Sequence, residues 1–401
     1  MKIGIIGDLH IGSGYSLGKL DPKTQLNSRL IDFSNTFDNI IDEFISRNVE
    51  LIILTGDIFD TRHPTSAQLN VLSKYLNKIT NNNMGVVIVV GNHDQQRTIS
   101  TTTVDMFESL KIPNVHVYSD FGIYTIDEDK HKTHCILMPY RDRRMIGTKT
   151  NSEAIKKIDD NLVKICKNLN NDDNIIVIGH FMIDKAVTGE NPDSFSINEL
   201  ILPIKMFKNF DAVIMGHVHG HAILSKNPLI MYSGSMEKIS FGEKHHTKVS
   251  IIFDTNNIKN PEIIKNKIRN LYEINFDYSN AKRDYKNQIT DRIILDINKF
   301  DMRRKLKGSI VKLIVKIRRN DHCYVNQDKI KRHIISKKVQ HLSTIEILST
   351  NSRQLRNNKI TETISGKKAM TSFIRSLIEP EQIKRKLIKF AHNIISEVEG
   401  K

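Results

Sequence analysis

Five short clusters of aspartate, asparagine and histidine punctuate the first two thirds of the chain: Asp8-Leu9-His10, Gly56-Asp57-Ile58-Phe59-Asp60, Gly91-Asn92-His93-Asp94, Gly179-His180 and Gly216-His217-Val218-His219. Their donors are carboxylate, amide and imidazole, a set that suits borderline or hard ions such as Mn²⁺, Fe or Zn²⁺ rather than a site that demands thiolates. Two such ions about 3.5–4 Å apart, bridged by one carboxylate, clamp both the attacking and the leaving oxygen of a phosphoryl displacement. Any one cluster alone reads as turn chemistry at a strand end. Five in one chain, each directly after a strand-like run, point to a dinuclear metal site.

Those runs are Lys2–Gly7, Leu51–Thr55, Val86–Val90, Ile175–Ile178 and Ala212–Met215, with a sixth run at Lys248–Phe253 that no cluster follows, and several are apolar throughout as strands covered on both faces must be. Amphipathic helices are expected between some of them, with stripes at Leu30, Phe33, Phe37, Ile40, Ile41 and Phe44 and at Leu69, Leu72, Leu76 and Ile79. The alternation predicts an α/β fold with a largely parallel sheet whose carboxyl edge gathers the five clusters. A polar, proline-terminated stretch at Asn256–Pro261 starts a boundary region that extends to about residue 280. Residues 1–260, 280–360 and 365–401 are therefore expected to form a main domain, a smaller domain and a terminal helical segment. In the second, Arg292–Ile297 and Ser309–Arg318 read as strands, the latter setting Ile310, Lys312, Ile314 and Lys316 against Val311, Leu313, Val315 and Ile317. In the third, Met370, Phe373, Ile374, Leu377 and Ile378 and then Ile383, Leu387, Phe390 and Ile394 fall at helical spacing, with Pro380 placed to start the second helix of a hairpin.

The charge is just as unevenly placed. The 401 residues carry 60 Lys+Arg against 45 Asp+Glu, a net +15, yet the stretch Ala281–Lys401 alone holds +17 and the rest −2. A polyanion-binding part joined to a part with another task is the expectation, and Arg303-Arg304-Lys305, Arg318-Arg319, Lys331-Arg332 and Lys337-Lys338 are the candidate phosphate contacts. Cys135, Cys166 and Cys323 are too scattered for a zinc knuckle or a disulfide framework and read as reduced thiols. Neither a signal-peptide core at Met1–Asp8 nor an apolar run of about 20 residues is present, so a soluble intracellular protein with no membrane contact is expected. His245-His246 and His131/His134 read as exposed loop residues. Gly366-Lys367-Lys368 lacks the preceding glycine of a phosphate loop and reads as a helix boundary.

In this order and spacing the five clusters resemble the calcineurin-like metallophosphoesterase superfamily, and in detail the SbcD/Mre11 nuclease family. Asp57–Thr61 running into a loop with Pro64, and Tyr232-Ser233-Gly234-Ser235-Met236-Glu237 with Phe241-Gly242-Glu243, carry the narrower likeness, which is close over residues 1–254. The resemblance implies a four-layer β-sandwich flanked by helices, a smaller α+β cap and a C-terminal helical hairpin. It implies that Asp8, His10, Asp57 and His219 hold one divalent ion and that Asp57, Asn92, His180 and His217 hold the other, both Mn²⁺. His93 would orient the phosphate or protonate the leaving oxygen, a role for the residue type that titrates near neutrality. Asp94 and Asp60 would steady these ligands, Asp60 standing where archaeal and eukaryotic members commonly carry histidine. The family further implies a DNA exonuclease/endonuclease acting on DNA ends in repair, recombination or replication. Its basic cap (Arg303, Arg304, Lys305, Arg318, Arg319, Lys331, Arg332) would contact double- and single-stranded DNA. A terminal segment (Phe373, Leu377, Ile383, Leu387, Phe390) would dock on a Rad50/SbcC-type ATPase, within a heterotetramer built on a homodimer. The implied location is the cytoplasm of a bacterial or virus-infected cell, the nucleus remaining open; richness in Ile, Lys and Asn fits an AT-rich genome and a phage or viral member. Two other readings compete: a phosphoesterase of the same superfamily acting on protein or small molecules, and a scaffold that binds DNA without cutting.

Overall fold

The computed structural model describes residues 1–95, 101–128, 131–170, 172–186, 199–280, 288–350, 366–375 and 381–398. A first sheet has six strands: β1 Lys2–Ile6, β2 Leu51–Leu54, β3 Gly85–Val89, β4 Val115–Tyr118, β13 Val249–Asp254 and β14 Glu262–Lys265, in the order β14-β13-β1-β2-β3-β4. A second six-stranded sheet contains β5 Gly122–Asp127, β6 Lys132–Met138, β7 Asn174–Gly179, β10 Ala212–Met215, β11 Ala222–Lys226 and β12 Leu229–Tyr232, in the order β11-β12-β10-β7-β6-β5. Two further strands, β8 Met182–Ile183 and β9 Ile201–Leu202, form a small pair. β1 to β4 are mutually parallel, as are β6, β7, β10 and β12. β13 and β14, and the edge strands β5 and β11, pair antiparallel.

Strand periodicity builds the layers. Ile3, Ile5, Leu51, Ile53, Val87 and Val89 share one buried cluster with Ile176, Ile178, Ala212, Ile214 and Met231, so these faces of the two sheets pack on each other. The alternate residues Ile6, Ile52, Leu54, Val86 and Ile88 turn outward into a second core with Phe33, Phe37, Ile41 and Phe44 of α1 (Ser28–Ser46) and Leu72, Leu76 and Ile79 of α2 (Ser66–Asn81). On the far side, Val177, Val213 and Met215 meet Ala154, Ile158 and Leu162 of α5 (Asn151–Cys166). The result is helix, sheet, sheet, helix: a four-layer α/β sandwich. The helices are started by side chains, Asn27 accepting the Arg29 amide and Thr65 with Gln68 closing a capping box on α2. Two short helices, α3 (Asp105–Ser109) and α4 (Arg143–Ile146), complete this part.

Beyond residue 270, β15 Leu271–Asp277, β16 Ile310–Arg318 and β17 His341–Thr350 form a three-stranded sheet with β16 in the middle. Helices α6 (Ile289–Arg304) and α7 (Gln327–Ser336) lie between these strands in sequence. By compactness the chain divides into Met1–Ile274 with Asn298–Leu313 and Lys331–Thr344, and Asn275–Ile297 with Ile314–Ile330 and Ile345–Lys401. Within the second unit α8 (Gly366–Arg375) and α9 (Glu381–Val398) pair as a hairpin, where Thr371 Oγ1 and His392 Nε2 are 2.7 Å apart. No helix among the described residues is long and apolar enough to cross a membrane.

Two expectations are corrected. Arg292–Ile297 is not a strand but the middle of α6: the run of β-branched residues imitates one, yet Ile289, Ile293 and Ile297 are buried at four-residue spacing, the helical period. His134 is not an exposed loop residue. It lies on β6, nearly buried, between Thr125 Oγ1 at 3.0 Å and Asp173 Oδ2 at 3.1 Å, and His131 is partly buried, 3.8 Å from Glu128. By contrast β16 presents Val311, Leu313, Val315 and Ile317 as its buried face, as its alternation predicts.

Candidate metal centre

The parallel strands end on one edge of the sandwich, and the five clusters begin there. Register carries past the strands themselves: the His10 and Ile11 amides donate to the carbonyls of Asp57 and Ile58 at 2.8 and 3.0 Å, extending the β1–β2 pairing into the site. His10, Asp57 and His217 have φ of 43°, 46° and 85°, left-handed backbone that side-chain-bearing residues rarely adopt and that collects at functional sites. Two glycines make room. A Cβ at Gly91 would lie 2.2 Å from both the amide nitrogen and Oδ1 of Asp57, and one at Gly216 would lie 2.5 Å from Asp8 Oδ1.

All seven sequence-predicted ligands meet on this edge. Donor atoms of Asp8, His10 and His219 lie within 4.8 Å of one another, and so do those of Asp57, His180 and His217. Asp57 lies between the groups, its Oδ2 3.6 Å from His10 Nε2 and 3.3 Å from His180 Nε2. Asn92 joins the second, with Oδ1 2.9 Å from His180 Nε2 and 3.0 Å from His217 Nδ1. Asp8 also accepts the His217 amide on both oxygens, at 3.1 and 3.0 Å, which ties the first cluster to the last.

Hydrogen bonding tests whether these residues fit ions. His180 Nδ1 is 2.8 Å from the Thr55 carbonyl, an acceptor only, so Nδ1 carries a proton, and Nε2, facing Asn92 Oδ1 and Asp57 Oδ2, is the nitrogen whose lone pair an ion would take. In the first group His219 Nδ1 donates to Glu243 Oε1 at 2.8 Å, which leaves its Nε2 lone pair facing His10 Nε2 at 3.1 Å. The buried His10 Nδ1 has no hydrogen-bond partner. Imidazole nitrogens and the Asn92 amide oxygen thus face one another 2.9–3.1 Å apart in the two groups, close enough to share an ion. The donor set fits two divalent ions.

The electrostatics agree. Burial works against ionising Asp57, but the imidazoles of His180, His10 and His93 hold its carboxyl far below the usual range. His180, also disfavoured as a cation by burial, is pushed up to about 9 by Asp57 and Asp8. The edge attracts positive charge, and a bound ion would take the place of those protons.

The remaining predicted residues surround these donor groups. His93 donates its amide to Asp57 Oδ1 at 2.7 Å, and its Nδ1 donates to the Asp60 carbonyl at 2.8 Å, so the neutral ring's lone pair is on Nε2. Its ring stands edge-on to His10, centroids 5.0 Å apart. Asp60 Oδ1 is 3.6 Å from His10 Nδ1. Asp94 accepts the amides of Ile58, Phe59 and Gly91 at 3.0–3.2 Å, bracing the loops that carry Asp57 and Asn92; burial and the neighbouring Asp57 raise its carboxyl to about 6 against those bonds. Three contributors escape a reading of the sequence for ligands. Glu243 stands in the Phe241-Gly242-Glu243 stretch and contacts His219, Glu199 contacts His217 without any spacing signal, and Tyr140 packs on His217 (centroids 6.1 Å) just past β6.

The basic and apolar candidates lie elsewhere. Arg303, Arg304, Lys305, Lys331 and Arg332 are exposed, and half-exposed Arg318 donates Nε to the Ser279 carbonyl at 2.9 Å. On α9, Ile383, Leu387, Phe390 and Ile394 are all exposed. Leu377, Ile378 and Pro380 lie outside the described residues, as do the side chains of Arg319 and Phe373.

Such a centre, at the carboxyl edge of a two-sheet α/β sandwich, defines a metal-dependent phosphoesterase. The model of the calcineurin-like phosphoesterase family matches residues 1–221, and the chain belongs to that family. Among curated proteins it is 24% identical over 242 residues to the SbcD subunit of the nuclease SbcCD of Staphylococcus epidermidis, covering 57% of this chain and 62% of that protein. It is 27% identical over 267 residues to the DNA double-strand break repair protein Mre11 of Thermoplasma acidophilum, covering 65% and 63%. The chain therefore spans somewhat less than two thirds of the length of these relatives. A solved dimetal phosphatase from Danio rerio aligns with a TM-score of 0.38 at 10% identity, over 63% of this chain and 92% of that one.

Proposed function

We propose that the chain is the Mn²⁺-dependent nuclease subunit of an SbcCD/Mre11–Rad50-type complex, a phosphodiesterase that processes DNA ends in repair, recombination or replication. The observation that carries this reading is the convergence of Asp8, His10, Asp57, Asn92, His180, His217 and His219 into two donor groups that share Asp57. Asp8, His10, Asp57 and His219 would hold one ion and Asp57, Asn92, His180 and His217 the other. When bound, the ions polarise the phosphoryl group and offset the charge that builds up on it during in-line displacement. Asp57 fixes the spacing of the two groups, while Asp94 and Asp60 steady the loops around it. His93, held by the Asp60 carbonyl, keeps Nε2 available to orient a phosphate oxygen or hand a proton to the leaving oxygen.

In the domain reading, residues 1–260 form the nuclease domain, 280–360 a basic DNA-binding cap and 365–401 a docking segment. The likeness to proteins named for SbcCD and Mre11, and the +17 charge of the last third, support DNA over protein or small-molecule substrates. The exposed α9 stripe suits the groove of a Rad50/SbcC-type ATPase, in a heterotetramer that also contains a homodimer of this chain. The location proposed for the complex is the cytoplasm. The test is cleavage of linear double-stranded DNA and of a nitrophenyl phosphodiester with Mn²⁺, each with and without EDTA. Metal-dependent cleavage of both is expected. Hydrolysis of the small ester alone would refute the DNA reading, and activity in excess EDTA would refute the metal reading.

A further inference from the structure

His217 and His219 stand two residues apart on one turn, and each is backed by an acid from a different segment. Glu243 Oε1 lies 2.8 Å from Nδ1 of His219, and Glu199 Oε1 is in close contact with Nε2 of His217. The acids therefore engage opposite nitrogens of the two rings. A carboxylate at an imidazole N–H fixes the tautomer and leaves the other nitrogen as the donor. For His219 that donor is Nε2, facing His10 and the first group; for His217 it is Nδ1, facing Asn92 and the second.

Behind Glu243 stands Lys248, whose side chain is fully buried. Its Nζ reaches Glu243 Oε2 at 2.6 Å, Ser235 Oγ at 2.6 Å and the backbone carbonyl of His219 at 2.9 Å. Three short bonds use all three ammonium donors. Lys248 thus grips both ends of the His219–Glu243 pair, the carboxylate and the histidine's own backbone. A buried lysine without such partners would carry a large desolvation cost, so its position makes sense as the fixed point of this pair.

We infer that Glu243 with Lys248, and separately Glu199, are positioning residues that set the donor nitrogens of His219 and His217, each tuning the affinity of one ion only. The inference rests on the metal assignment under Proposed function and adds which acid governs which ion. Mn²⁺ binding to the full chain is measured by calorimetric titration and, after desalting, by elemental analysis. Glu243→Gln is expected to weaken one ion by roughly 10–100-fold and leave the other, the usual effect of removing such a partner, and Glu199→Gln to weaken the other one. A double-mutant cycle identifies the ion: Glu243→Gln should add nothing in a His219→Ala background and act in full in a His217→Ala background. Lys248→Met should reproduce the loss seen with Glu243→Gln. Should it fail to fold because it strands a buried carboxylate, the double variant Glu243→Gln/Lys248→Met removes that charge and must show the same single-ion loss. If the wild type binds two ions and Glu243→Gln binds both as tightly, the inference falls alone. Wild-type protein that binds no ion would overturn it together with the metal assignment.

Discussion

Replacing His93 by asparagine separates the chemistry of the centre from its assembly. What His93 gives to assembly is its backbone amide, which donates to Asp57 Oδ1 at 2.7 Å and survives any side-chain change. Its ring makes one hydrogen bond, to the Asp60 carbonyl, whose removal costs about 0.5–1.5 kcal/mol of stability. No hydrogen bond joins that ring to the two ligand groups; it stands edge-on to His10, centroids 5.0 Å apart, and one of its nitrogens lies within 4.8 Å of donor atoms of His10 and Asp60. Both ions should therefore bind His93→Asn as they bind the wild type. Loss of a positioned acid or base lowers a rate by roughly 10²–10⁴-fold, or about 3–5.5 kcal/mol of barrier, so cleavage should fall by that much while DNA affinity barely changes. Elemental analysis, DNA binding and single-turnover cleavage on one preparation check all three. Loss of an ion together with the activity would make His93 a ligand. Unchanged cleavage would remove it from the chemistry.

Asp57→Asn should abolish Mn²⁺-dependent cleavage and lower the metal content towards zero, because a neutral amide at the shared position offers neither group a charge; two retained ions in elemental analysis would contradict the bridging role. On α9, Leu387→Glu with Phe390→Glu should leave the melting temperature within a few degrees, since both side chains are exposed, while abolishing co-purification with the partner ATPase; retained capture would refute docking through this stripe. Reversing the exposed Arg303, Arg304, Lys331 and Arg332 should weaken DNA binding whatever its sequence and flatten its salt dependence by about 0.9 in the log–log slope for each phosphate no longer neutralised, as salt-titrated binding would show. An unchanged slope would place the DNA elsewhere.

The centre was legible in the sequence because parallel strands turn a one-dimensional signal into a three-dimensional one. Asp8, Asp57, Asn92, His180 and His217 are far apart in the chain, but each follows an apolar run that had to be a buried strand, and parallel strands in adjacent register end together. What made the strands recognisable was burial on both faces. β6, which begins with Lys132-Thr133-His134, lacked that look, and with it went the buried environment of His134 and the approach of Tyr140 to the site. α6 failed in the opposite sense, because the three adjacent apolar positions Ile293, Ile294 and Leu295 carry no period until the helix shows that Ile289, Ile293 and Ile297 are the ones that face inward.

The acids that orient the ligands could not be read in the same way, and the reason is physical. A metal ligand must be one of a few residue types at a backbone position fixed by the strand end, so type and position together announce it. A supporting carboxylate has to reach only one ring nitrogen, from any segment that passes nearby. Glu243 arrives from a turn between β12 and β13, Glu199 from the approach to β9, and Lys248 from the residue just before β13, where a lysine at the head of an apolar run looks like an ordinary exposed strand end. Its burial follows from the closeness of the start of β13, in the first sheet, to the turn after β10 of the second sheet that bears His219, which is a property of how the two sheets pack and not of any local pattern. Sequence motifs can therefore predict how many ions such a centre is built to hold, whereas how tightly each is held depends on residues whose place is settled by the packing of distant segments.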